Sequence, residues 1–179
     1  FGPFHLPDSQ FGFPFTGSLR SVRSTSELQS TLDEARVANT SVLINMAGSR
    51  SRFQNADGSF SVPSFKTRLD TFSNFDIEPY VADGTVIGHL LIDEPHDPSN
   101  WNGATVPYSE IEAVAAYSKQ LWPTLPTGVG SPPTFLGDGA PWKSLDFGLA
   151  QYTTKKGDLA VWKNNEVDAA NSIGLGLVL

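Results

Sequence analysis

The residues best suited to chemistry follow one apolar run. Residues 86–92 read Val-Ile-Gly-His-Leu-Leu-Ile, and two carboxylic acids, Asp93 and Glu94, come directly after them and before Pro95. A proline has no backbone N–H to donate, so a strand over this run must end there. Carboxylates at the end of a buried strand suit general acid–base catalysis, because an apolar wall can keep one carboxyl group protonated near neutral pH.

Of the two acids, Glu94 is the better candidate for the general acid. Successive residues of a regular strand point to opposite faces, so only one of Asp93 and Glu94 can face a shared cavity if the strand stays regular. Glu94 has the longer side chain and stands where the backbone turns out of the strand. One structural alternative stays open, in which both carboxylates cap the next loop or pair with an arginine.

Other polar and aromatic side chains at the predicted strand ends fit a carbohydrate pocket. Amide and imidazole groups can hydrogen-bond to hydroxyls, and a tryptophan or tyrosine ring can stack against a sugar face. A tryptophan in a Pro/Gly-rich loop more often packs onto the core, and this is the structural alternative for Trp101 and Trp142. The predicted binding residues are His5, Asn45, Asp93, His96, Trp101, Gln151 and Tyr152, with Trp142 as a further stacking candidate.

The composition excludes several classes of protein. The 179 residues include 19 acidic and 12 basic residues, a formal net charge of −7, which argues against a nucleic-acid binder or a polybasic membrane-surface protein. Without cysteine there are no disulfides and no cysteine-bound zinc. The three histidines lack metal-site spacing and no dinucleotide glycine motif occurs, so we predict no metal and no cofactor. No apolar run reaches the ~20 residues of a membrane span.

Short apolar runs alternate with helical patterns along the whole chain. Ser24 and Glu27 have the spacing of a capping box at one helix start, and Asp158 can cap another. Polar, Phe- and Gly-rich residues up to Val22 indicate an ordered loop. The predicted strands are 1–6, 41–47, 86–93, 127–130, 145–152 and the run 175–179.

Repeated strand–helix units predict an α/β fold with parallel pairing and right-handed crossovers. Six strands in 179 residues match the density of an eight-unit TIM-type (β/α) barrel, which takes ~250 residues. We therefore expect a single domain, 1–179, that is an incomplete (β/α) barrel of about six units, truncated at its C-terminal end. An open, doubly wound parallel sheet is the second choice.

Several short motifs resemble one family of barrels. The run Leu90-Leu91-Ile92-Asp93-Glu94-Pro95-His96 is similar to the Asn-Glu-Pro end of the fourth strand in the large retaining clan of barrel glycoside hydrolases. Phe1-Gly2-Pro3-Phe4, Pro123-Thr124-Leu125-Pro126 and residues 146–152 further resemble uncharacterised bacterial glycosidase-like barrels. The resemblance implies that Glu94 is the acid/base and that Asp93 replaces the family's asparagine, which contacts a sugar 2-hydroxyl. The family's nucleophile follows the seventh strand, whereas only six strands are predicted here.

A second carboxylate is needed for glycoside hydrolysis. It lies ~5–5.5 Å from the acid in retaining enzymes and ~6.5–9.5 Å away in inverting ones. Asp8, after the first predicted strand, is the candidate; the structural alternative is that it caps the turn with Ser9.

The leading functional hypothesis is hydrolysis of O-glycosidic bonds. The alternative is a non-catalytic barrel that serves as an extracytoplasmic accessory or scaffold subunit of a larger, membrane-bound assembly, and a third reading is carbohydrate binding without turnover. The low charge density and the Phe-, Pro- and Gly-rich loops suit a static contact surface. We thus expect a carbohydrate or protein partner and a periplasmic or extracellular location.

Overall fold

The computed structural model describes residues 4–179 and contains one six-stranded sheet. The strands are β1 Gly17–Ser21, β2 Ser41–Asn45, β3 Val86–Asp93, β4 Thr127–Gly130, β5 Phe147–Leu149 and β6 Gly176–Val178. The helices are α1 Thr25–Val37, α2 Val62–Asp70, α3 Glu78–Ala82, α4 Tyr108–Leu121, α5 Pro133–Leu136 and α6 Leu159–Ile173. No helix in this part of the chain is long and apolar enough to cross a membrane.

The strand order decides between the two predicted architectures. The strands lie side by side in chain order, and each neighbouring pair is parallel. Right-handed crossovers that always advance in one direction place every helix on the same face, whereas a doubly wound sheet reverses its order and covers both faces. The sheet therefore curls into an incomplete TIM-type barrel, which confirms the predicted fold.

Two apolar clusters lie on the two faces of this sheet. The larger one fills the space between the convex face and the helices. The smaller one lines the concave face and comprises Leu19, Leu43, Leu90, Phe147 and Leu149. The ring of Phe147 passes so close to Gly128 that a Cβ there would lie 2.1 Å from it, so only glycine leaves room for this aromatic filling.

The first strand differs from the prediction. Residues 1–3 lie outside the described part, and Phe4 forms only an isolated parallel bridge to Leu19. The strand is Gly17–Ser21, within the segment predicted as a loop. The sequence pattern of this strand is weak because Leu19 is its one large apolar residue. Its Arg20 forms an ion pair with Asp8.

The predicted helix starts are largely confirmed. Ser24 Oγ accepts from the backbone N–H of Glu27 at the start of α1, and Asp158 accepts from Ala160 and Val161 at the start of α6. Helix α4 begins at Tyr108, directly after Pro107.

Candidate active site

The end of β3 is irregular, and this irregularity directs Asp93. Leu90 pairs with Gly128 and Asp93 with Gly130, so three steps along β3 match two along β4. The extra residue is a β-bulge, which turns Asp93 to the same concave face as Leu90. The expectation that strand alternation separates Asp93 from Glu94 holds only for a regular strand.

Gly130 supplies the space for this arrangement. A Cβ at Gly130 would lie 2.6 Å from Oδ1 of Asp93. The carbonyl of Gly130 accepts a hydrogen bond of 3.1 Å from the N–H of Glu94, which continues the ladder past the bulge.

Glu94 leaves the strand in a strained conformation. Its φ is +51°, in the left-handed region that non-glycine residues adopt rarely. Trp101 stabilises this turn, because its Nε1 donates to the carbonyl of Glu94 over 2.9 Å. Backbone strain of this kind clusters at functional sites.

The carboxylate of Glu94 remains accessible. Its side chain is 45% exposed, and Nη2 of Arg50 lies 3.6 Å from Oε2. Oε2 also accepts a hydrogen bond of 3.0 Å from Nδ2 of Asn100. The arginine contact is longer than a hydrogen bond, so Glu94 is not locked in a buried, neutralising pair.

Two cavities meet at Asp93. The first has a volume of about 320 Å³, and its polar lining residues are His5, Ser21, Asn45, Ser49 and Arg50, at the carboxyl ends of the strands. The second, of about 160 Å³, is lined by Asp93, Glu94, His96, Gly130, Pro132, Leu149, Gln151 and Lys156. Asp93 is the residue common to both cavities, so a ligand spanning them would contact its carboxylate.

The surroundings of the two cavities change the protonation of Asp93. Desolvation by the cavity walls raises the pKa of Asp93, and the neighbouring charge of Glu94 raises it further. Residues 4–179 supply no hydrogen bond or ion pair to this carboxylate, although Arg50, His96 and His5 exert a smaller opposing effect. Asp93 is therefore easier to protonate than an ordinary surface aspartate.

His96 is held in a fixed orientation beside Glu94. Its Nδ1 lies 2.8 Å from the buried Oγ of Ser131, and its ring packs against Phe135. Desolvation lowers the pKa of His96, which favours the neutral imidazole. Its other ring nitrogen is available to a ligand in the smaller cavity.

The structure brings most of the predicted binding residues to this rim. His5 and Asn45 line the larger cavity, and His96 and Gln151 line the smaller one. Asn45 Oδ1 accepts from the N–H of Gly48 and so shapes the loop after β2.

Three aromatic residues serve other contacts. Trp101 is only 2% exposed and packs against Phe53 and Phe60, which corrects the expectation that its ring stacks on a sugar. Trp142 donates from Nε1 to the carbonyl of Leu136. Tyr152 donates to the carbonyl of Gly157 over 2.5 Å and lines an apolar groove of about 430 Å³ on the concave face. This groove adjoins the smaller cavity at Leu149 and Gln151.

Asp8 is not part of this site, which corrects its assignment as the second carboxylate. It forms a 2.6 Å ion pair with Arg20 and accepts from Thr31 of α1 over 3.4 Å. It lines a cleft with Asp33, Glu34 and Val37 instead of either cavity at the strand ends. Burial raises the pKa of Asp8 although the guanidinium of Arg20 opposes the shift.

Sequence reasoning missed three charged or amide residues of the site. Arg50 belongs to the polar loop after β2, Asn100 follows Glu94 by six residues, and Lys156 lies in the loop after β5. All three occupy loops that follow the carboxyl ends of strands, where the active sites of barrels lie. This placement after predicted strands is the sequence feature that could have identified them. Within residues 4–179, no group of three or more acidic or histidine side chains could hold a metal ion.

The comparisons with solved structures agree on the fold. A glycoside hydrolase family 5 mannosidase from Rhizomucor miehei, a mutant in complex with mannosyl-fructose, superimposes with a TM-score of 0.65 at 10% identity. The match covers 92% of this chain and 58% of the mannosidase chain. A mutant of an intracellular xylanase from Thermoanaerobacterium saccharolyticum, in complex with xylotriose, gives a TM-score of 0.61 at 11% identity, over 96% and 69% of the two chains.

These matches define the class of fold, a glycosidase-like (β/α) barrel. The chain spans less than two thirds of the mannosidase that it matches, so it corresponds to part of such a barrel. No protein-family model matches the sequence, and no curated protein matches it significantly.

Proposed function

We propose that this chain carries the acid/base side of a glycosidase site and hydrolyses O-glycosidic bonds through Glu94. The main support is that Glu94 lines an open cavity at the carboxyl ends of parallel strands. The second carboxylate, Asp93, lines this cavity and also the larger polar cavity next to it. Carbohydrate ligands bound to both fold neighbours support the same class of ligand here. In the proposed reaction, Glu94 gives its proton to the glycosidic oxygen, which keeps the electron pair of its broken bond to the anomeric carbon. An oxygen nucleophile, either a carboxylate or water, bonds to that carbon.

The strand order suggests where a carboxylate nucleophile would come from. The resemblance places the acid/base on the fourth strand and the nucleophile on the seventh, three strands apart. Glu94 directly follows β3, so the equivalent strand is β6, and the segment after Val178 is the proposed source. A glutamate in the first residues after Leu179 of the native gene product would support this proposal, and its absence would favour water as the nucleophile.

Glycoside hydrolysis is tested with aryl glycosides and β-linked or α-linked oligosaccharides of mannose, xylose and glucose. Removing a general acid costs roughly 10²–10⁴-fold, so Glu94→Gln should lose activity by that factor while retaining its circular dichroism spectrum. Glu34→Gln, at an exposed glutamate of α1, is the matched control and should retain full activity. An active Glu94→Gln protein would overturn the assignment.

A second candidate function is the non-catalytic accessory barrel. The observation that favours it is the apolar groove of about 430 Å³, which opens on the concave face and includes Leu19, Leu43, Trp162 and Val178. Such a groove suits contact with further polypeptide. Inactivity of the wild-type protein on every glycoside, together with its recovery in a stable complex from periplasmic or extracellular fractions, would favour this role and location.

A further inference from the structure

Two residues from different loops converge on one oxygen of Glu94. Asn100 donates from Nδ2 to Oε2 over 3.0 Å, and Nη2 of Arg50 lies 3.6 Å from the same oxygen. Arg50 also donates from Nη1 to Oδ1 of Asn100 over 2.7 Å, which closes a triangle of contacts. Oε1 accepts no hydrogen bond from residues 4–179. The two oxygens of this carboxylate are therefore unequal.

From this geometry we infer that Arg50 and Asn100 are positioning residues, which hold Oε2 of Glu94 so that Oε1 is the oxygen that transfers the proton. The inference rests on the proposed hydrolysis and adds which oxygen acts and what orients it. Neither residue needs to touch the substrate, because both act through the carboxylate.

The triangle is itself anchored on both sides. Gln54, from the same loop as Arg50, donates to the carbonyl of Asn100 over 2.8 Å. The guanidinium of Arg50 lies 5.5 Å from the ring centre of Trp101, whose Nε1 holds the carbonyl of Glu94. The loop after β2 thus fixes the side chain and the backbone of Glu94 together, as a positioned acid requires.

Asn100→Ala tests the role of the hydrogen bond from Asn100 to Glu94. Loss of one positioning contact should lower kcat by about tenfold, a fraction of what a general acid contributes, while KM stays within about twofold. Asn171→Ala, at an exposed position of α6, should leave both constants unchanged. An unchanged kcat in Asn100→Ala, or a loss confined to KM, would overturn the positioning role.

Arg50→Met tests the role of the contact between Arg50 and Glu94. The substitution removes the guanidinium that contacts Oε2 of Glu94 and Oδ1 of Asn100, so kcat should fall by about tenfold while KM stays within about twofold. Arg50→Lys should restore most of the wild-type kcat. Arg52→Met removes the same charge from the same turn without contacting Glu94, and both constants should stay unchanged. A wild-type kcat in Arg50→Met would contradict the inference.

The failure of this inference can be told apart from the failure of the proposed function. The NMR chemical shift of the Asn100 side-chain amide, compared in wild type and Arg50→Met, reports the triangle without any turnover. A changed shift in a protein that cleaves no glycoside would retain the triangle and reject the hydrolase. An unchanged shift would reject the triangle whether or not the protein is active.

Discussion

The carboxylate of Asp93 occupies the space that a side chain at Gly130 would need, since a Cβ there would lie 2.6 Å from Oδ1. The same Cβ would also lie 3.2 Å from Cα of Asp93 and 3.3 Å from the N of Glu94. The neighbouring strand therefore helps to set the position of both acids. This relationship explains how β4, which carries no acid, shapes the site.

Gly130→Ala should consequently disturb the site and weaken the fold. Forcing a methyl group into this contact should cost about 1–3 kcal/mol of unfolding free energy, because part of the obstruction is backbone. Urea unfolding measures this cost. Gly137→Ala is the control, since its φ of −56° suits alanine and a Cβ there meets nothing within 4 Å. Equal stabilities of the two variants would contradict the close approach at Gly130.

Asp93→Asn should make the folded protein slightly more stable near neutral pH. The pKa of Asp93 is raised, so above its usual range the ionised form is less favourable in the folded than in the unfolded chain. Asparagine removes this unfavourable charge, and the benefit disappears as the pH falls and Asp93 becomes protonated. Solvent screening keeps the gain below about 1 kcal/mol. Melting temperatures at pH 7 and pH 4 test the sign; a variant less stable than wild type at pH 7 would disprove it.

The buried His89 should make the unfolding free energy of the protein depend on pH. The ring is fully buried on the convex side of β3, beside Ser118 Oγ at 2.8 Å and against Trp122, and desolvation lowers the pKa of His89 to about 3. Between about pH 6.5 and 3 the unfolded chain binds a proton that the folded chain rejects. The unfolding free energy should therefore fall by up to about 1.4 kcal/mol per pH unit on acidification.

The contribution of His89 is isolated by comparison with His89→Gln. Urea unfolding of both proteins at several pH values between 7 and 4 cancels the common contribution of the carboxylates. The difference in unfolding free energy should change steadily across this interval. A constant difference would show that the histidine is not held neutral.

Asp8→Asn should change stability little and leave catalysis unchanged. The neutral amide leaves the guanidinium of Arg20 without its ionic partner. Burial raises the pKa of Asp8, however, so the substitution also removes a charge that is less favourable in the folded than in the unfolded chain. Because the two effects oppose each other, the unfolding free energy measured in urea should change by less than about 1 kcal/mol. Hydrolysis measured below the unfolding temperature should stay within about twofold of wild type. A large loss of kcat in a folded Asp8→Asn protein would return this residue to the catalytic candidates.

Local sequence signals predicted most of the elements. Residues 41–47 and 86–93 contain apolar residues that cover both faces of a strand, and Ser24 and Asp158 have side chains that can satisfy free N–H groups at helix starts. The strand Gly17–Ser21 escaped prediction because its stability comes from pairing with Ser41–Asn45 and not from its own residues. Pairing between distant segments leaves no mark in a local pattern.

The sequence by itself determined the alternation of strands and helices, the parallel sheet, and the position of Asp93 and Glu94 at a strand end. Hydrophobic periodicity, capping residues and Pro95 are local properties, so they can be read from neighbouring residues. Only the tertiary structure decided that a bulge turns Asp93 into the concave face, that Arg50 and Asn100 meet at Glu94, and that Asp8 pairs with Arg20. Each of these contacts depends on how separate segments pack against each other. The number of residues between two segments does not tell how far apart they lie in the folded protein.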